Sequence, residues 1–310
     1  MQHIFWSILP IFLITLMGSV IKNKWITSDE FWRGLEKLSY FMLFPILLFN
    51  NISTADLGSG ALTHLVWGLI ISTLIVAGGL AFYQNKYNID KAQFTSIFQG
   101  AIRYNSYIFF ALGKSLYGDE GLVIVSVVSA YMIIFTNTLS VFIFVHYLGD
   151  NEKDEDSRPS LAILIQRCAA NPLIIASILG FMFNYADLTL NIGIKNTLDS
   201  LSNAALAMGI LNVGAGLRFV VNLYDIKYIT ITSAVKLLIF PIVTMIILSL
   251  TSIGDVPKAI GVLYSGLPCA TTSYVLSKQF GGDYKLMASI ITITTIFSVL
   301  SLSLLLYILG

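Results

Sequence analysis

The chain has 310 residues, of which 56% are hydrophobic and only 11% charged, and its formal net charge is +1. A water-soluble domain carries about a quarter charged residues, so this chain has too few charges to coat a surface in water. The near-zero balance gives no case for nucleic acid. What remains is an all-α polytopic membrane protein, since about 20 apolar residues span a bilayer.

Apolar runs predict ten spans, at 4–21, 35–52, 61–83, 94–114, 121–148, 161–184, 196–217, 228–250, 256–279 and 286–309. The first lacks a basic leader and a clear cleavage site, so it reads as a retained span. The second holds Pro45, Asn50 and Asn51 in "FPILLFNNIS". The fourth holds "RYNSY", 103–107, where Arg103 and Asn105 interrupt an apolar run. The fifth contains Asn137. The strongly polar loop "GDNEKDEDSRPS", 149–160, divides the chain near its midpoint. The sixth span holds Arg167 and the pair Asn171-Pro172, the seventh Asn212, the eighth Lys236 and the ninth "GLPCATTSY". Cys168 and Cys269 fall in apolar runs and read as reduced packing residues. His3, His64 and His146 lie near span ends without ligand spacing, so neither a metal nor a cofactor is expected.

Lysine and arginine set the orientation. One side of the membrane receives Lys114, Lys195 and Lys258. The other receives Lys22, Lys24, Arg33, Lys37, Lys86, Lys91, Lys153, Arg158, Arg218, Lys227, Lys278 and Lys285. This bias predicts both termini outside and the 149–160 loop in the cytoplasm.

The two halves repeat. "ALGKSLYGDEGL", 111–122, aligns with "VLSKQFGGDYKL", 275–286, at an offset of 164. A weaker match sets "LEKLS", 35–39, on "LDSLS", 198–202. Residues 1–150 and 161–310 then each hold five spans, joined by a linker at 151–160. An odd number of spans inserts the second half upside down. Inverted repeats with broken helices at the midplane belong to secondary transporters. The same offset places Pro268 over Tyr104 and Cys269 over Asn105. Pro268 removes a donor and disfavours helix at Leu267. The small and hydroxyl residues after it can re-satisfy the freed backbone. The first break has no proline, and there Asn105 and Ser106 must compete with the backbone for hydrogen bonds.

These residues carry a resemblance. "RYNSY" before "LYGDEGL", "NPLIIASILG" at 171–180, "KLLIFP" at 236–241 and "GLPCATTSYVLSKQFGGD" at 266–283 resemble the auxin efflux carrier family, in its compact bacterial branch. The resemblance implies the fold shared by sodium/proton antiporters and bile acid symporters. Helices 1, 2, 6 and 7 would form a scaffold. Helices 3–5 and 8–10 would form a transport domain, with helices 4 and 9 broken and crossed. That domain would move as an elevator. The implied cargo is a small organic anion, a mono- or dicarboxylate such as malate. The family's crossover asparagine falls on Asn105 and its crossover proline on Pro268; the plant members have a proline at each crossover, and this chain keeps only the second. Homodimers are common on this fold, and a homodimer is expected by that analogy.

Two half-helix N-termini meeting at one point make an anion site. The expected substrate-binding residues are Arg103, Asn105, Ser106, Pro268, Cys269, Ala270, Thr271 and Thr272. Pro45, Asn50, Asn137, Asn212 and Lys236 are candidates for scaffold-side or supporting contacts. Three roles are open for Arg103: substrate contact, capping of backbone carbonyls, or snorkelling. Lys236 contacts either substrate or the carbonyls at a broken helix end, in the place of a bound cation. Acidic residues fall in loops or at helix ends, with Glu36 the nearest to an exception. That argues against cation exchange through buried carboxylates and favours uniport or exchange of an anion in the inner or plasma membrane. An anion channel or a cation-coupled symporter is the alternative. The chain has neither H-E-x-x-H nor G-x-S-x-G, and no histidine deep in a span, so it does not read as an enzyme.

Overall fold

The structure, a computed structural model, describes residues 2–55, 60–149, 171–218 and 225–309. Residues 150–160 of the polar loop lie outside these, as do 161–170 of the sixth expected span with Arg167 and Cys168. The described residues form helices and no strand. In order they are α1 (Gln2–Lys24), α2 (Asp29–Leu38), α3 (Phe44–Ser53), α4 (Gly60–Tyr87), α5 (Lys91–Ile102) and α6 (Ser106–Leu148). Then come α7 (Pro172–Tyr185), α8 (Ile192–Gly216), α9 (Ile226–Ala234), α10 (Phe240–Ser249), α11 (Asp255–Gly266), α12 (Ser273–Gln279) and α13 (Tyr284–Leu309). By length and composition, four stretches among the described residues can cross a bilayer: Gly60–Tyr87, Lys91–Leu148, Ile226–Ser249 and Tyr284–Ile308.

Lys91–Leu148 has 58 residues. As one straight helix it would be about 87 Å long, against a hydrocarbon thickness of about 30 Å. It is broken twice. One break is at Arg103–Asn105. The other is at Gly118, whose φ of 59° and ψ of −139° are open to glycine but not to a side chain. There the chain turns back on itself. A Cβ on Gly121 would stand 2.3 Å from the carbonyl oxygen of Gly113, so the two arms touch backbone to backbone. Lys114 and Asp119 pair across the turn.

Two helices pass through a widened π turn instead of breaking. Ser39–Leu43 joins α2 to α3, and Val235–Ile239 joins α9 to α10. Each π turn is followed within two residues by a proline, Pro45 or Pro241. A proline nitrogen cannot donate to the preceding turn. One wide turn absorbs that loss and bends the helix without ending it.

The helices pack in two groups. In the first, α1 lies on α8, and α3 lies on α7 and α8. Small residues make this approach close, as they do between membrane helices. A Cβ on Gly214 would stand 1.7 Å from the Thr15 carbonyl oxygen, and one on Gly18 would stand 2.1 Å from that of Leu211. The Asn184 side chain donates to the carbonyls of Ile52, Ser53 and Ala55 at 3.1, 3.2 and 2.8 Å, which closes the C-terminus of α3. The second group holds α4–α6 and α9–α13 around an aromatic core that includes Phe94, Phe98, Phe109, Phe110, Phe240 and Tyr264, all fully buried. On the outside, Phe82, Leu250 and Leu300 are 70%, 80% and 69% exposed. Such a surface would aggregate in water; in a bilayer it is the natural outer face.

Replacing Gly214 with alanine is expected to destabilise the α1–α8 contact by about 1–3 kcal/mol, the usual cost of overpacking. Gly79 has nothing within 4 Å of its would-be Cβ, so Gly79→Ala should leave stability unchanged or raise it. Thermal unfolding of the detergent-purified variants checks both.

Candidate functional site

The first break begins where α5 ends. Arg103 and Asn105 take extended backbone, with φ/ψ of −77°/151° and −81°/102°. No proline forces this. The Asn105 side-chain oxygen accepts from the backbone N–H of Ile108 at 3.2 Å, so asparagine starts α6 as its N-cap. The second break begins at Leu267, extended at φ −63° and ψ 150°, as a residue before proline prefers. The N–H of Cys269 donates to Thr294 Oγ1 on α13 at 3.2 Å.

The breaks touch each other. The backbone N–H of Asn105 donates to the carbonyl of Pro268 at 2.9 Å. Arg103 Nη2 donates to Thr272 Oγ1 at 2.9 Å, and its Nη1 donates to Gln99 Oε1 at 3.3 Å. Tyr104 of the first break meets Tyr264 edge to face, with ring centroids 4.6 Å apart.

In front of the breaks lies a cavity of about 720 Å³. Arg103, Asn105, Ser106, Ala270, Thr271 and Thr272 line it from the breaks, and Thr136 and Asn137 from the returning arm of α6. Asn171 lines it too; its side chain caps α7 by accepting from the Leu173 N–H at 2.9 Å. Arg103 is only 7% exposed, yet among the described residues no ion pair includes it.

The remaining candidates lie elsewhere. Pro268 and Cys269 are behind the cavity wall: Pro268 offers its carbonyl to Asn105, and Cys269 is fully buried with Sγ 3.5 Å from Ser273 Oγ. Pro45, Asn50 and Asn212 do not line the cavity. Asn50 Nδ2 donates to Asp199 Oδ1 at 2.7 Å, and Asn212 Nδ2 to Ser39 Oγ at 3.4 Å, while Pro45 follows the π turn. These three join helices or bend them. Lys236 also differs from expectation. Its Nζ meets no carbonyl acceptor among the described residues. It lies 4.8 Å from the ring centroid of Phe240 and 5.9 Å from that of Tyr264, an aromatic setting that favours a cation.

Sequence reading missed the α2 side of the cavity. Arg33, Glu36, Lys37 and Tyr40 all line it. Their spacing of i, i+3, i+4 and i+7 is one helical face, and that signal was present in the sequence. Counting Arg33 and Lys37 as loop charges hid it. Among the described residues, Arg33, Lys37 and Arg103 set three basic groups in the cavity against the one carboxylate of Glu36. The N-terminus of α6 opens into it through Ser106 and Tyr107. Positive charge and a helix N-terminus together attract an anion.

The comparisons with known proteins agree in kind. A family model described as membrane transport protein matches residues 3–306. An uncharacterized transporter of Methanothermobacter thermautotrophicus is 25% identical over 304 residues, covering 96% of each chain. An uncharacterized transporter of Methanocaldococcus jannaschii is 22% identical over 304 residues, again with 96% of each chain covered. The chain therefore belongs to the membrane transport protein family, the auxin efflux carrier family that its motifs resemble.

Proposed function

We propose that this transporter carries small organic anions, mono- or dicarboxylates such as malate, with the substrate held in the cavity at the two breaks. One observation carries the reading: Arg103 is buried at the cavity wall, held by neutral partners and, among the described residues, without a carboxylate. An intramembrane arginine costs at least about 2.5 kcal/mol on insertion scales. A water-filled cavity and a bound carboxylate both reduce that cost. Arginine's planar fork matches a carboxylate with two parallel hydrogen bonds. Asn105, Ser106, Ala270, Thr271 and Thr272 complete the substrate wall, with Asn137 in support.

In this reading the chain crosses the inner or plasma membrane ten times as two inverted five-helix repeats, with both termini outside. The group built on α1–α3, α7 and α8 is the scaffold. The group built on α4–α6 and α9–α13 moves against it as an elevator, in a homodimer. Transport is uniport or exchange, driven by the anion gradient and the membrane potential.

Malate should stabilise the purified protein by mass action, by about 2.7 kcal/mol at a hundred times its dissociation constant. Arg103→Gln and Asn105→Ala should lose that stabilisation in a thermal-shift assay. Equal stabilisation of all three proteins would place the anion elsewhere. In proteoliposomes, counterflow of labelled malate is expected of a carrier and not of a channel. For topology, single cysteines introduced at Lys195 and at Lys91 in a background without Cys168 and Cys269 separate the two faces. An impermeant maleimide should label the first in intact cells and the second only after permeabilisation; the reverse pattern would invert the orientation.

A further inference from the structure

Gln99 is one turn before Arg103 on α5, is fully buried, and does not line the cavity. Its Nε2 donates to the backbone carbonyl of Ser273 at 3.2 Å and to Ser277 Oγ at 2.5 Å. A backbone carbonyl only accepts. The amide nitrogen is therefore turned towards α12, and the amide oxygen towards Arg103. The order continues in one direction. Ser277 Oγ lies 3.2 Å from Ser96 Oγ, and Ser96 Oγ donates to the Asp283 carbonyl at 2.9 Å. With Ser277 donating to Ser96, each link from Gln99 to that carbonyl has a donor and an acceptor. The chain ties α5 of the first half to α12 and its following turn in the second half. It contains no charge except Arg103.

That neutrality is the notable feature. A carboxylate at position 99 would hold the guanidinium equally well, and in a buried setting more strongly. It would also neutralise it. We propose that Gln99 is a positioning residue of the anion site: it aims Arg103 into the cavity with a neutral acceptor and leaves its charge for the substrate. This role rests on the anion reading of the cavity. Thr272, the second partner of Arg103, is neutral as well and also lines the cavity. Among the described residues, Tyr40, Tyr104 and Cys269 are the titratable groups nearest Arg103, and Arg33, Glu36 and Lys37 share the cavity with it.

The test measures malate affinity of the purified full chain as wild type, Gln99→Glu and Gln99→Met, between about pH 8 and about pH 5, a window that runs down towards the usual carboxylate range. Each variant is read as its ratio to wild type at the same pH. That ratio removes the titration that wild type and variant share. Gln99→Glu should bind at least ~tenfold more weakly at the high end. The introduced carboxylate is ion-paired with Arg103, which keeps it ionised across this window, so its ratio should stay low throughout. Gln99→Met removes the acceptor and leaves the charge, so its ratio should be lowered and flat. A Gln99→Glu ratio that stays near one, or that is no lower than that of Gln99→Met, overturns the proposal. If Gln99→Glu does not fold, Gln99→Met decides: wild-type affinity there overturns the positioning role. If wild type itself binds neither malate nor any other carboxylate tried, the anion reading fails first and the role of Gln99 falls with it.

Discussion

The structure depends on one hydrogen bond, from the backbone N–H of Asn105 to the carbonyl of Pro268. Inside a bilayer there is no water to satisfy a backbone group that leaves a helix, so broken helices are tolerated only where protein or a wet cavity supplies partners. Each break exposes such groups. Setting the two breaks side by side lets one satisfy the other, and Thr294 of α13 supplies a further acceptor for Cys269. Neither break is stable in hydrocarbon alone. The rest of the site follows from their pairing: Thr272 is within reach of Arg103, and Ser273 and Ser277 are within reach of Gln99.

The two breaks reach the same end by different chemistry. The second is imposed by what proline lacks, a donor, and by what it forbids, helix at Leu267. The first is imposed by what asparagine adds, a side-chain acceptor that starts α6. A cap of this kind contributes about 1 kcal/mol, less than the roughly 3 kcal/mol by which a proline disrupts a helix interior. The first break therefore relies more on its neighbours, and it is the one whose backbone donates across. The same economy explains the two π turns. Pro45 and Pro241 bend their helices without breaking them, because a widened turn precedes each.

What was legible in the sequence was what depends on local pattern. Apolar runs gave the helices, and an arginine and asparagine inside one run marked the first break. "GLPCATTSY" marked the second through its proline and small residues. The helical face of Arg33, Glu36, Lys37 and Tyr40 was equally local, but lysine and arginine near a span end read first as orientation signals. Other features were not legible for a physical reason. Gln99 and Ser277 are far apart in sequence, and neither residue type marks a site in an apolar helix. Asn50 meets Asp199 only because α3 packs on α8, a pairing of residues 149 positions apart that no local pattern announces. The two aromatic rings that Lys236 faces, Phe240 and Tyr264, come from different helices, and only their packing brings the second one near.

The glycines separate what is fixed from what can slide. Gly18 and Gly214 bring α1 and α8 together backbone to backbone, within one group of helices. Gly113 and Gly121 do the same for the two arms of α6, within the other. Contact between the groups has another character. A Cβ on Gly209 of α8 would stand 2.5 Å from the ring of Tyr107 and 2.9 Å from that of Phe44. Tyr107 is two residues past Asn105, and its ring centroid lies 4.5 Å from that of Phe44. So the first break sends an aromatic ring across the boundary into a notch that only glycine leaves open. Side-chain contact of this kind can be withdrawn and remade without unpacking a helix pair. For a carrier that works by the proposed movement, the boundary must part there, and the residue that leaves the notch lies on the helix whose first turn lines the cavity. Occupancy of the cavity and position of the moving group would then be read by the same turn of α6.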